Sequence, residues 1–357
     1  MKNKIIVILI ILIVIINIGI GVFGFNLSKV DNKKTNVEIN IKSGTSANEI
    51  INILDENKLI RSKFFTKVYL KFSNYNLQAG IYELNTSMNT REILKYLNDG
   101  KVTNKYNLRI TFNEGLNVRG IARIISNTTN NKYEDVIKVF EDKEYAKKLI
   151  DKYWFLTDDI LKTGIYYPLE GYLFPDTYEF MNKDVSVDTI ITTLLNEFNK
   201  KVSPYKEEIE NSNYNIHELI TLASIAESES LPGADRKKVV SVSVNRMKNG
   251  MSLGSDMTAY YAYKLDDYKN GGLTIEQFNN CSSPYNTRCL SKMGLPIGPI
   301  SNPSLDSIIG AIEYEDTTYL FYIADCSGKT YFTNTYDEFI SKINELQQQG
   351  KWCEVSR

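Results

Sequence analysis

The sequence predicts an α+β protein: an N-terminal transmembrane helix, a small α+β module, and a larger, mostly helical region with short strands. Three observations carry this. Residues 5–25 hold no charged side chain. Strand-like alternation followed by a turn and a helical pattern occurs at 37–54 and again from 108. Beyond residue 187 most of the chain has helical spacing, with strands expected only at 318–324 and 330–332.

The N-terminal run of 21 residues, as a helix, spans about 31 Å at ~1.5 Å per residue, which matches a bilayer core. No A-x-A cleavage pattern follows it, so an uncleaved anchor is expected. Lys2 and Lys4 precede the run and favour a cytoplasmic N-terminus, although Lys29, Lys33 and Lys34 weaken the asymmetry. The remainder would then be extracytoplasmic, where disulfides become possible. Cys281, Cys289, Cys326 and Cys353 allow three pairings, and spacing does not choose among them or against free thiols.

Residues 26–37 are polar and read as a linker. Val37–Lys42 alternates as a strand; the turn Ser43-Gly44-Thr45-Ser46 leads into a helix from Ala47, with Glu49 at capping-box distance from Ser46. That helix puts Ile50, Ile51, Ile53 and Leu54 on an apolar side. A second helix follows through Phe64, Val68, Tyr69 and Phe72, then a strand at 80–84 and a helix from Thr90 that ends at Asp99-Gly100. A strand at 108–112 and a helix from Val118 echo the first unit, and helices continue through 133–153.

Composition narrows the chemistry. With 357 residues, about two domains are expected. The 42 Lys+Arg against 43 Asp+Glu argue against a nucleic-acid partner recognised by phosphate neutralisation. One histidine excludes multi-histidine metal sites, and the cysteines form no C-x-x-C pair. Catalysis, if present, therefore rests on carboxylates, hydroxyls, Lys or Tyr.

Four stretches concentrate polar groups among Gly and Pro. Stretch 169–178 alternates aromatics with Glu170 and Asp176, a pattern suited to sugar rings but equally to a buried aromatic corner held by Pro175. Helix 216–230 has the apolar positions Leu219, Leu222, Ala223 and Ala226, with Glu227 and Glu229 on opposite flanks. Helix geometry nominates both carboxylates and does not choose; solvated surface carboxylates are the alternative. His217, a turn or more before them, reads as structural or exposed. Asn245-Arg246-Met247 and Gly250–Thr258 read as a loop lining a cleft, unless Ser255 or Asp256 merely caps a helix. Finally, Tyr285-Asn286-Thr287 and the Pro- and Gly-rich stretch 294–303 form a rigid loop.

Together these stretches resemble the YceG/MltG family of membrane-bound endolytic murein transglycosylases. The family pattern is L-E-G-x-L-F-P-D-T-Y, A-S-I-x-E-x-E, N-R-L, G-M-x-L-x-S-D-P-T, Y-N-T and G-L-P-P-G-P-I-x-N-P. Here the pieces stand in order at 169–178, 223–229, 245–247, 250–258, 285–287 and 294–303. Met257 stands where the family usually has Pro, and Thr330 and Phe339 where many members have His. The resemblance implies residues 1–4 as a cytoplasmic tail, 5–25 as the membrane helix, 26–37 as linker, 38–103 as a LysM-like module and 104–357 as the catalytic domain. It also implies Glu229, the second Glu of its motif and followed by Ser230, as the catalytic residue. Glu227, Ser230, Asn245, Asp256, Thr258, Tyr285, Asn286, Thr287, Glu170 and Asp176 would support it or hold sugar. The implied reaction cuts the β-1,4 bond between MurNAc and GlcNAc of peptidoglycan strands, leaving 1,6-anhydro ends, and needs neither metal nor cofactor. The implied partners are glycan strands, the cytoplasmic membrane and penicillin-binding proteins. A hydrolase using Glu229 with Asp256, and a tethered glycan-binding protein without activity, are the alternatives.

Overall fold

The computed structural model describes residues 2–42, 44–100, 108–229, 234–266 and 272–352. They gather into two compact units, Met1–Asn107 and Leu108–Arg357. The boundary expected at 103/104 lies outside the described residues.

The first unit contains α1 (Lys2–Asn26), β1 (Asn36–Ile41), α2 (Ala47–Glu56), α3 (Lys63–Phe72), β2 (Gly80–Asn85) and α4 (Thr90–Asn98). In α1 the window Leu9–Asn26 has mean hydropathy 2.5 and no buried residue, so it is long and apolar enough to cross a membrane. β1 and β2 pair antiparallel with Ile39 opposite Tyr82, and alternation turns Ile39, Ile41, Tyr82 and Leu84 inward. The Ser46–Glu49 capping box forms as expected: Ser46 Oγ accepts from Glu49 N, and Glu49 Oε2 from Ser46 N. α2 and α4 close this core with Ile50, Ile51, Leu54, Ile93, Leu94 and Leu97.

The segment 26–37 is not a free tether. Leu27 is buried and its carbonyl accepts from Thr90 N at 3.0 Å. Arg61 donates to the carbonyls of Lys29 and Val30 and stacks over Phe25. The carbonyls at the end of α1 and just past it need donors, and polarity alone did not reveal that the module supplies them.

The second unit contains β3 (Leu108–Thr111), α5 (Val118–Thr128), α6 (Tyr133–Glu141), α7 (Lys143–Ile150), β4 (Thr177–Phe180), α8 (Val187–Val202), α9 (Lys206–Glu210), α10 (Ile216–Glu229), α11 (Arg236–Lys248), α12 (Asp256–Ala262), α13 (Ile275–Phe278), α14 (Leu305–Ile312), β5 (Phe321–Ala324), β6 (Thr330–Thr333) and α15 (Tyr336–Gln348). β3 pairs antiparallel with β4, and β5 with β6. The end of stretch 169–178 is thus a strand, which its aromatic alternation did not announce.

α10 is the axis of this unit. It packs against α9, α11, α12 and α14. Eleven of its fourteen residues are buried, so it is enclosed all round rather than amphipathic. Cys281 and Cys289 form a disulfide with Cα atoms 5.4 Å apart, and Cys326 is disulfide-bonded as well. Cys353 lies outside the described residues.

Gly171 fixes how closely the 169–173 turn approaches α10. Its φ is +91°, and a Cβ there would stand 2.6 Å from Pro299 and 2.7 Å from Ile220. Gly171→Ala should therefore cost about 2 kcal/mol or more, from strain and overpacking together. A thermal melt unchanged within a degree would contradict that.

Candidate active site

Glu229 ends α10, and its position is set by the residues before it. The Pro-rich segment 294–304 is stitched along this helix. His217 Nε2 meets Ile297 O at 3.1 Å, Ser224 Oγ accepts from Ile300 N at 3.1 Å, and Ser301 Oγ donates to Ser224 O at 3.1 Å. Ser228 and Ser301 hydroxyls lie 3.0 Å apart. His217 is buried, so burial lowers its proton affinity below the usual histidine range. As a neutral ring it donates from Nε2 to Ile297 O and accepts at Nδ1 from Tyr172 Oη, 2.9 Å away. It is structural, one of the two readings its sequence position allowed.

The two carboxylates that helix geometry left open have different surroundings. Glu227 Oε2 accepts from Ser304 N (3.0 Å), Ser304 Oγ (2.5 Å) and Ser307 Oγ (2.7 Å), and Oε1 faces Arg236 Nη2 at 3.4 Å. These four donors tie the carboxyl group at the end of α10 to the first turn of α14. Glu229 is 9% exposed, and its Oε1 accepts from Ser255 Oγ at 2.5 Å. Neither is the solvated surface carboxylate that composition favours.

Ser255 is the residue that sequence reasoning undervalued. It occupies the N-cap position of α12, yet its hydroxyl makes no capping bond and turns to Glu229 instead. Its loop is held from behind. Arg246 Nε donates to Ser252 O at 2.9 Å, and Gly254 N donates to Thr287 O at 3.0 Å.

Most other predicted site residues brace this frame. Thr258 Oγ1 donates to Ser255 O at 2.7 Å, accepts from Thr287 N at 3.0 Å and lies 2.8 Å from Thr287 Oγ1. Asn286 donates to the carbonyls of Phe278 and Asn280. Tyr285 packs against Tyr166 and Tyr261, at 4.7 and 4.8 Å between ring centroids. All four, Thr258, Tyr285, Asn286 and Thr287, are fully buried. Of the two roles open to them, holding sugar or supporting the site, their burial and bonds match the supporting one. Asn245 holds the carbonyls of Thr317 and Tyr319 ahead of β5. Asp256 is exposed and ion-paired with Arg288 Nε at 2.8 Å. Asp176 is exposed, accepting from Thr177 N at 2.7 Å. Ser230 lies outside the described residues.

Glu170 is the most deeply buried acid of the set, 1% exposed. It accepts from Val118 N, Tyr261 Oη and Asn302 Nδ2. Asn302, missed at the sequence level, uses its whole amide. Oδ1 accepts from Gly171 N and Leu173 N, while Nδ2 donates to Leu116 O and Glu170. Burial pushes Glu170 up to about 7, against the pull of Val118 N, Tyr261 and the Arg119 guanidinium. Glu114, in the turn ahead of α5, is also raised, first by desolvation and then by the charge of Glu227. Among the described residues no three His, Cys, Asp or Glu side chains converge as a metal would require.

Comparison with known proteins finds relatives along most of the chain. The model of the YceG-like family matches residues 39–345. The chain is 35% identical over 321 residues to the endolytic murein transglycosylase of Bacillus subtilis, covering 87% of each. It is 30% identical over 327 residues to the endolytic murein transglycosylase of Streptococcus pneumoniae serotype 2, covering 88% of this chain and 59% of that one. The crystal structure of a YceG-like protein from Listeria monocytogenes superposes with a TM-score of 0.62 at 34% identity, covering 87% of this chain and 100% of that one.

The Glu170 knot makes a prediction about stability. Its value in the fold, about 7, lies above its ordinary 4.5, so folding favours the protonated form. The contribution is complete below about pH 4.5 and is lost as pH rises through 7. Glu170→Gln should cost about 1–3 kcal/mol, because its amide hydrogens face existing donors, and the cost should be larger at pH 5 than at pH 7.5. Urea denaturation of both proteins at the two pH values measures it; a larger cost at pH 7.5 would reverse the sign.

Proposed function

The chain belongs to the YceG-like family, and we infer from that membership that it is an endolytic murein transglycosylase, a lytic enzyme acting on peptidoglycan glycan strands. We propose further that it cuts the β-1,4 bond between MurNAc and GlcNAc through Glu229. As the acid, Glu229 protonates the glycosidic oxygen while the C1–O bond breaks through an oxocarbenium-like state. As the carboxylate, it then removes the proton of the MurNAc C6 hydroxyl, whose oxygen bonds to C1 and closes the 1,6-anhydro ring. The proton returns to Glu229, and no water is consumed.

The observation that carries this choice is the contrast between the two carboxylates of α10. Glu227 accepts from Ser304 and Ser307 and faces Arg236, so its oxygens are engaged in a clamp between α10 and α14. Glu229 meets the hydroxyl of Ser255, which can follow a proton because it both donates and accepts. A two-carboxylate hydrolase has less support, since Asp256 is ion-paired with Arg288.

The apolar helix α1 is proposed as a single membrane anchor with the N-terminus cytoplasmic and the enzyme extracytoplasmic, near penicillin-binding proteins that make new strands. The Cys281–Cys289 disulfide suits an oxidising compartment. The module of β1, β2 and α2–α4 is proposed as the LysM-like part, either binding glycan or serving as a spacer. After fractionation, a C-terminal epitope should sediment with membranes; a soluble, trimmed species would refute the anchor.

Glu229→Gln should abolish strand shortening, beyond the ~10²–10⁴ of a single acid-base role, because donation and acceptance are both lost. Ser255→Ala should lower kcat by roughly tenfold to a hundredfold, the worth of one charge-assisted hydrogen bond. Product masses one water below a reducing end identify the anhydro terminus. Strand shortening by Glu229→Gln at wild-type rate, or reducing ends alone, would sink the mechanism.

A further inference from the structure

A groove of about 510 Å³ opens between the start of α11, the β5–β6 hairpin and α15. Its wall begins at Ala234, shortly after Glu229 in the chain, and continues through Lys238, Tyr319, Lys329, Tyr331, Phe332 and Lys342. Arg246 ties this wall to the Ser255 loop: Nε holds Ser252 O, and Nη1 holds Leu320 O at 3.1 Å, just ahead of β5. The groove is thereby braced to the same frame that positions the Ser255 hydroxyl on Glu229.

The lining has a definite chemistry. Three ammonium groups face one carboxylate, Asp235. Lys238 is engaged by Asp235 at 2.7 Å and Glu315 at 3.8 Å, and Lys342 by Glu345. Lys329 enters none of the described ion pairs; its ammonium lies 5.0 Å above the Tyr331 ring, with that of Lys342 at 5.2 Å from the same ring. Tyr331 Oη is anchored to Asp325 Oδ2 at 3.1 Å, which fixes the ring that both ammonium groups approach. Tyr319 and Phe332 pack with centroids 5.4 Å apart and offer apolar surface beside them. A neutral sugar ring offers an ammonium group only hydroxyl acceptors, whereas a short chain carrying carboxylates and small aliphatic side chains forms the stronger charge-assisted bonds and also uses the apolar part of the lining.

We propose that this groove receives the carboxylate-bearing stem peptide that hangs from the lactyl group of the MurNAc residue, with Lys329 as its principal contact. The inference rests on the reading of peptidoglycan strands as substrate. It makes the enzyme a reader of peptide-bearing glycan in addition to a cutter of glycan.

The test uses the full chain in detergent and two probes. In calorimetry, N-acetylmuramyl-pentapeptide should bind, with affinity weakened roughly tenfold by Lys329→Gln and further by Lys329→Glu. In cleavage assays, the ratio of kcat/KM on peptide-bearing strands to that on strands stripped by an amidase should fall by a similar factor. Lys329 is exposed, so both variants should keep the fold. No binding of the muramyl-pentapeptide, an affinity unmoved in both variants, or an equal fall on both strand types overturns the proposal. Tighter capture of a phosphate-bearing wall polymer than of the peptide also overturns it. A wild-type protein that binds the fragment through Lys329 yet cuts neither strand would leave the groove assigned and remove the transglycosylase reading alone.

Discussion

The second unit depends on burying one carboxylate and satisfying it. Glu170 is enclosed with donors from Val118, Tyr261 and Asn302, segments that are far apart in the chain. A buried acid without partners is strongly unfavourable, so these segments must arrive together or not at all. Asn302 extends the constraint: its amide bonds the turn at 171–173 on one side and Leu116 on the other. One acid and one amide therefore set the relative position of three loops that secondary structure alone would leave loose.

From that knot the order passes to α10. The segment that carries Asn302 also runs along α10 and bonds it at His217, Ser224 and Ser228 before Glu227 clamps the start of α14. A helix held at successive turns cannot slide or rotate, so the orientation of its last residue is inherited from the bonds before it. Thr258, Thr287 and Gly254 give the facing loop the same rigidity. The result is a carboxylate and a hydroxyl held in contact by elements braced from behind, a rigidity that suits the proposed acid-base role.

The same bracing explains why several polar residues of the motifs are interior. The family resemblance places Thr258, Tyr285, Asn286 and Thr287 at the site, in loops where functional groups are commonly displayed. Their side chains instead supply the hydrogen bonds that a tight loop's own backbone cannot make internally. The groove beyond α11 has the opposite character. Its lysines and aromatics come from ordinary strand, turn and helix positions, and no compact motif flags them.

Local features were determined by the sequence itself. The Ser46–Glu49 capping box, the apolar run of α1, the short strands β5 and β6, and the placement of Glu227 and Glu229 on one helix all depend on neighbours within a few residues. The ordered motifs also carried the family, because their spacing survives without knowledge of contacts. Which of the two carboxylates is clamped and which meets Ser255 was decided only by tertiary structure, as were the burial of Glu170 and the docking of 26–37. In each case the deciding partner stands well away along the chain: Ser304 and Ser307 for Glu227, Ser255 for Glu229, Asn302 for Glu170, Arg61 for Lys29. A hydrogen bond acts over about 3 Å whatever the separation in sequence, and helical or strand periodicity carries no information about which distant donor will arrive there.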